Sequence, residues 1–238
     1  MKLNILAFGA HPDDVEMSCG GTILKHISKG WSAGIVDLTQ GEMGTRGTAE
    51  TRHEEAQVAA KILGVKVRTN LLMRDGFVFN NEENQMRVIE MIRHFRPDVV
   101  LANAIDDRHI DHVRAAELVK HACFLSGLKK IETSYEGKTQ EAWRPPNIYH
   151  YIQDKDLEPN FLIDISREFE TRMEAVMAYK TQFFESKLNE PNTYISSPEY
   201  MDALKGRLLL WGKRIGVKYA EGFTVNKTIG VSGLDVMS

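Results

Sequence analysis

Leu3-Asn4-Ile5-Leu6-Ala7-Phe8-Gly9 is a nearly unbroken apolar run that stops at a glycine, and Ala10-His11-Pro12-Asp13-Asp14-Val15-Glu16 follows at once. A short apolar run of this kind reads as a strand buried on both faces, which belongs to a sheet covered by helices on either side. Glu16–Lys29 then carries apolar residues at helical spacing and stops at Gly30, a residue suited to ending a helix. The same pair of periods recurs down the chain. Ala33–Thr39 reads as a strand and Thr51–Leu63 as a helix closed by Gly64. Val65–Leu72 is a strand, and Asn84–Phe95 is a helix that ends before Arg96-Pro97. Asp98–Ala104 and Val113–Leu125 complete a fourth pair. Four strand–helix units in series predict parallel strands joined by right-handed crossovers, in a three-layer, doubly wound (Rossmann-like) α/β sheet.

Residues 128–146 break that rhythm with charge, Gly137 and Pro145-Pro146. Beyond them lie two short strand candidates, Asn147–Ile152 and Phe161–Ile165, and a helix at about Arg167–Phe183. A polar loop with Pro191 and Pro198 leads to a last helix at about Glu199–Ile215. The expectation is one domain over 1–238, with a core at 1–127 and a C-terminal α/β extension at 128–238 packed on it. A length of 238 residues suits that reading, given roughly 150 residues per domain as a prior.

Composition narrows the function. The chain is 42% hydrophobic and 26% charged with a net charge of −3, so it offers a sizeable core and no basic excess for nucleic acid. Two cysteines, Cys19 and Cys123, make neither a disulfide framework nor a thiolate zinc site. No apolar run approaches the roughly 20 residues that cross a bilayer, and Met1–Ala10 lacks a cleavage-type segment, so the expectation is a cytoplasmic protein with no membrane partner. A dinucleotide glycine fingerprint, a P-loop ending, a Gly-x-Ser-x-Gly elbow and a His-Glu-x-x-His pair are all missing.

In open α/β sheets ligands bind outside the carboxyl ends of the strands. The polar residues expected there are His11, Asp13 and Asp14 after the first strand, Gly41–Gly44 and Arg52 after the second, Arg74-Asp75 after the third, and Asp106–His112 after the fourth. His11 and Asp14, three residues apart on a turn stiffened by Pro12, can face one point, and imidazole with carboxylate suits Zn²⁺ or a similar ion. The same acidic residues would also complement the positive end of a helix. His109 and His112, at i and i+3, supply further nitrogens, and Asp111 between them could hold a ring N–H. Three protein ligands with one open position make a catalytic rather than a structural zinc site.

These motifs resemble the LmbE-like or PIG-L deacetylases, zinc enzymes acting on N-acetylglucosamine derivatives. The likeness runs through Ala10–Glu16, Asp107–His112, Leu38–Glu42, Arg52-x-Glu54-x-x-x-Val58 and Leu63-Gly64. Phe161–Ile165, Ala178–Phe183 and Gly216–Phe223 extend it to the branch that deacetylates N-acetylglucosaminyl-malate in bacillithiol synthesis. Ile110 departs from it, standing where the family usually has proline. The resemblance implies one Zn²⁺ (or Fe²⁺) per chain on His11, Asp14 and His112, with Asp13 as general base. It further implies His109, oriented by Asp111, and Tyr194 at the oxyanion. Arg52 and Asp75 are candidates for the sugar hydroxyls or an aglycone carboxylate. A small N-acetylated glucosaminide is the implied partner, and a homo-oligomer, often a hexamer, the implied assembly. Two rivals stay open. Asp13, Asp14, Asp106 and Asp107 could serve a two-metal phosphoesterase, and a sugar-binding module could keep the metal without turnover.

Overall fold

The computed structural model describes residues 1–183, 191–231 and 233. Among these, β1 (Ile5–Gly9), β2 (Ala33–Thr39), β3 (Val67–Met73) and β4 (Val99–Ala102) alternate with helices α1 (Asp14–Ser28), α2 (Ala49–Leu63), α3 (Glu82–Phe95) and α4 (Ile110–Leu125). β7 (Asn147–Tyr151) joins them by pairing in parallel with β4, and β9 (Ala220–Val225) and β8 (Phe161–Asp164) close the edge antiparallel to their neighbours. The seven strands lie in the order β3-β2-β1-β4-β7-β9-β8. The sheet is therefore α/β and mostly parallel. Residues beyond 146 continue it rather than forming a second sheet. No helix among the described residues is long and apolar enough to cross a membrane.

Alternation along β1 divides the core. Ile5 and Ala7 face a cluster built with α1, α2, α5 (Phe169–Met177) and α6 (Pro198–Arg214), while Leu6 and Phe8 face a second built with α3 and α4. A strand packed on both faces has to be apolar at every position, which is why β1 carries no alternation in its sequence.

The structure differs from expectation in three elements. The helix expected over Arg167–Phe183 spans only Phe169–Met177, because Glu55 of α2 takes both the N–H and the hydroxyl of Thr181 and pulls the chain out of the helix. β9 has no counterpart among the expected strands. Within 128–146 sits a hairpin of β5 (Ser134–Tyr135) and β6 (Lys138–Thr139), turned by Glu136 and Gly137, both at positive φ (50° and 73°); that pairing of dihedrals matches the twist of hairpin strands. The expected polar loop before α6 lies partly outside the described residues, at 184–190.

Candidate active site

The strand order reverses between β1 and β4, which pair respectively with β2 on one side and β7 on the other. At such a reversal the loops after neighbouring strands part and leave a crevice. A cleft of about 840 Å³, its solvent mouth included, opens there, and His11, Asp13, Asp14, Arg52, His109 and His112 line it.

The turn after β1 is tightly held. Asp14 Oδ2 accepts the backbone N–H of His11 at 2.9 Å, closing the turn around Pro12. Asp13 takes φ 119°, in the left-handed region that side chains avoid, and its carboxylate caps no N–H of α1. Such strain persists only where the surroundings impose it, and it concentrates at functional sites. Here the imposing partner is Arg52, whose Nη2 donates to Asp13 Oδ2 at 3.0 Å and to the Pro12 carbonyl at 2.8 Å, and whose Nη1 reaches the Gly41 carbonyl. Gly41 stands at φ 68° with Arg52 so close that a Cβ would lie 2.0 Å from Nη1. Only glycine fits there.

His11 and His112 converge on Asp14. His112 Nε2 lies 3.1 Å from Asp14 Oδ1 and His11 Nδ1 lies 3.7 Å from Asp14 Oδ2. Each imidazole is backed by a carboxylate on its other edge. His11 Nε2 donates to Asp75 Oδ1 at 3.0 Å, and His112 Nδ1 donates to Asp107 Oδ2. This fixes both tautomers so that His11 Nδ1 and His112 Nε2 are the free ligand atoms, the arrangement in which carboxylate-backed histidines hold metals. The nitrogens of His11, His109 and His112 also lie within 4.8 Å of one another. His109 caps α4, and its Nδ1 accepts the backbone N–H of Asp111 at 3.2 Å. Its neutral form therefore carries the proton on Nε2, as a donor.

Electrostatics follow from burial among charges of both signs. Burial raises Asp13 against the pull of Arg52, to about 7. It disfavours a proton on His11, yet the carboxylates of Asp111, Asp75 and Asp14 outweigh it and hold His11 at about 10. His112 likewise stands at about 9, burial being overcome by Asp14 and Asp107. Asp14, though buried, is held far below the carboxylate range by His112 and His11. His109 goes the other way, lowered by burial and by the charges of its two histidine neighbours. The acidic surroundings that retain protons on His11 and His112 would favour a divalent cation in their place. Two imidazoles, one carboxylate and their carboxylate backing fit a borderline ion such as Zn²⁺ or Fe²⁺.

Several expected roles change. Asp75 does not face the sugar side as a free carboxylate; it is spent on His11 and on the backbone N–H of Met43. Arg52 is 5% exposed and engaged by Asp13, so it is not a free cation for an aglycone. The Asp111 carboxylate does not orient His109. It accepts from the backbone N–H groups of Gly76 and Val78 and lies 3.7 Å from His11, because the loop after β3 folds across the start of α4. Tyr194 is 57% exposed, donates to Asp154 at 3.2 Å, and does not line the cleft; Tyr200, one turn into α6, does. Asp106 pairs with surface Lys155, so Asp13, Asp14, Asp106 and Asp107 form no second carboxylate cluster.

Residue-by-residue reading missed Asn103 and Gln153, which donate to the two oxygens of Asp14 at 3.0 Å each, and the holding role of Asp107. Asn103 directly follows β4 and Gln153 lies two residues past the end of β7, where the strand-end rule could have found them.

Residues 6–123 match the PIG-L family, described as GlcNAc-PI de-N-acetylase. The diacetylchitobiose deacetylase of Thermococcus kodakarensis is 30% identical over 232 residues, spanning 92% of this chain and 81% of that protein. The conserved protein TT1542 of Thermus thermophilus superposes with a TM-score of 0.86 at 35% identity, over 97% of this chain and 98% of that one. The N,N'-diacetylchitobiose deacetylase of Pyrococcus horikoshii gives 0.77 at 25% identity, over 92% and 82%. With relatedness running through nearly its full length and both histidine–aspartate motifs meeting in one cleft, the chain belongs to the PIG-L/LmbE-like deacetylase family.

Proposed function

We propose that this protein is a metal-dependent N-deacetylase of an N-acetylglucosaminide, with His11, Asp14 and His112 as ligands and N-acetylglucosaminyl-malate as the preferred substrate. The observation that carries the reading is the strained Asp13, held by Arg52 next to two carboxylate-backed histidines that meet at Asp14. A divalent ion at that point would lower the pKa of a water and polarise the acetyl carbonyl. Asp13, in its ionised form, takes a proton from water as its oxygen adds to the acetyl carbon. The C–N bond then breaks, and Asp13 returns the proton to the departing sugar amine, leaving acetate. His109 donates from Nε2 to the carbonyl oxygen as it gains negative charge, a type of contact worth about 3 kcal/mol in the transition state.

Chito-oligosaccharides are the second substrate reading, favoured by the likeness to the two diacetylchitobiose deacetylases. A panel of N-acetylglucosaminides assayed for released primary amine, with and without chelator, tests both. Amine release that stops on chelation and returns with metal is expected, fastest on the malate glycoside. Binding without any release would instead leave a sugar-binding module. The homo-oligomer belongs to the same proposal; Phe77, Phe79 and Ile110, exposed near the start of α4, are apolar surface for it, and light scattering on the full chain reads its size.

A further inference from the structure

Arg207, midway along α6, lines the cleft that holds His11 and Asp13, and it also lines an adjoining hollow with Asp156 and Leu210. It stands where the two spaces meet, on the side contributed by the C-terminal residues. Its guanidinium lies 5.3 Å from the Trp211 ring and donates once, from Nη1, to the Asp154 backbone carbonyl at 3.3 Å. Its Nε has no partner, and among the described residues no carboxylate comes within 4 Å of it. The nearby Asp154 carboxylate is already occupied, one oxygen by Arg108 at 2.9 Å and the other by the Tyr194 hydroxyl at 3.2 Å. Arg108 is thus paired, whereas Arg207 has no ion-pair partner among the described residues. Removal from water lowers the pKa of Arg207, against the opposing charges of Asp154, Asp107 and Asp156, none of which pairs with it directly among the described residues. Arg207 is half-buried, and its Nε–H, shut off from water with no partner, is costly unless something else meets it.

We propose that Arg207 is the anion-binding residue of an aglycone subsite, selecting N-acetylglucosaminides whose aglycone carries a carboxylate or a phosphate over neutral ones. This deepens the deacetylase reading and rests on it for the identity of the sugar. A guanidinium can meet either anion through two parallel N–H bonds. Its position at the junction of the cleft with the second hollow suits a group attached to the sugar rather than the acetamide itself. Binding energy gathered there can be used to position the reacting amide.

The test uses the full-length, metal-loaded protein and the deacetylated products, which do not react further. Methyl, O-malyl and glycerophosphoryl glucosaminides are titrated by calorimetry against wild type, Arg207→Gln and Arg207→Lys. In wild type at least one anionic glucosaminide binds about 10-fold or more tightly than the methyl glycoside, and which one identifies carboxylate or phosphate. In Arg207→Gln that preference falls to near parity, since one charge-assisted contact is worth about 10–150-fold. Arg207→Lys keeps part of it. A wild-type protein that binds all three alike overturns the subsite even if Arg207→Gln fails to fold, and so does a preference that survives in a folded Arg207→Gln. Turnover of the matching N-acetyl compounds is measured separately. Anion preference without amine release would remove the deacetylase reading and keep the subsite; amine release without anion preference would do the reverse.

Discussion

Asp13 and Asp14 are adjacent in sequence and opposite in character. Asp14 is held ionised by two histidines, whereas burial lifts Asp13 to about 7 against the pull of Arg52. Their substitutions should therefore separate. Asp13→Asn is expected to keep stoichiometric metal by elemental analysis while losing about 10²–10⁴-fold in turnover; near-normal turnover in a metal-replete variant would remove Asp13 as base. Arg52 acts through Asp13. Arg52→Gln withdraws the cation that favours the carboxylate, so Asp13 gives up its proton at higher pH. The acid limb of the pH–rate profile should move toward alkaline pH by about one pH unit or more, with similar losses on neutral and anionic substrates. A loss confined to anionic substrates, with the limb unmoved, would place Arg52 on the aglycone instead. Asp107 fixes the His112 tautomer through a bond to Nδ1. Asp107→Asn should weaken metal binding about 10–100-fold in competition with a chelating dye, without touching any ligand.

At the scale of the element, α1 decides whether these residues meet. The helix is broken at Cys19, which has φ −145° and ψ 15°. Past the break, the N–H groups of Gly21 and Thr22 are taken by the Glu221 carboxylate of β9 at 2.9 and 2.7 Å. Arg172 of α5 binds the Met17 carbonyl and lies 3.6 Å from Glu221. Two residues from the C-terminal half thus satisfy the backbone groups freed by the break. Gly21 is required by the same packing, since a Cβ there would lie 2.9 Å from Ile165. Glu221→Gln strands Arg172 as a buried cation, at a cost of about 3–5 kcal/mol read from denaturant unfolding. A fall in metal affinity should accompany it, because the first turn of α1 carries Asp14. Unchanged stability would show that the break holds without the clamp.

Across the whole molecule, protonation and folding are linked at the His11–Asp14–His112 cluster. His11 and His112 are raised to about 10 and 9 from an unfolded value near 6.5. The folded state therefore binds these protons more tightly, and the stability they contribute is present below about pH 6.5 and lost as pH rises through 9–10. Metal-free protein should melt at falling temperature across that interval, at about 2–4 °C for each kcal/mol lost in a chain of this size. Saturating Zn²⁺ should reduce the fall, since ligand binding to the folded state raises its stability. A chelated protein whose melting temperature stays flat from pH 6.5 to 10 would mean the two imidazoles are not held by Asp75, Asp107 and Asp14 as described.

What was legible in the sequence was local. Short apolar runs gave β1 and β2, because a doubly covered parallel strand has to be largely apolar, and Gly30 and Gly64 marked the ends of the helices that follow them. The rule that polar residues gather beyond strand ends brought His11, Asp13, Asp14, Arg52, Asp75, His109 and His112 to one rim, and the structure places all of them around one cleft or in contact with its lining residues. The sequence pattern could not assign what each does. Asp75 and Arg52 look alike as free polar residues in a loop. Only contacts across 64 and 39 positions make one the support of His11 and the other the partner of Asp13. The carboxylate of Asp111 turned to the β3 loop rather than His109, and Tyr194 turned outward to Asp154, for the same reason. A side chain's partner is set by which backbone crosses near it, and that depends on chain segments far away in sequence. β9 shows it at the level of the sheet, for its Glu221 secures a helix that begins about 200 residues earlier.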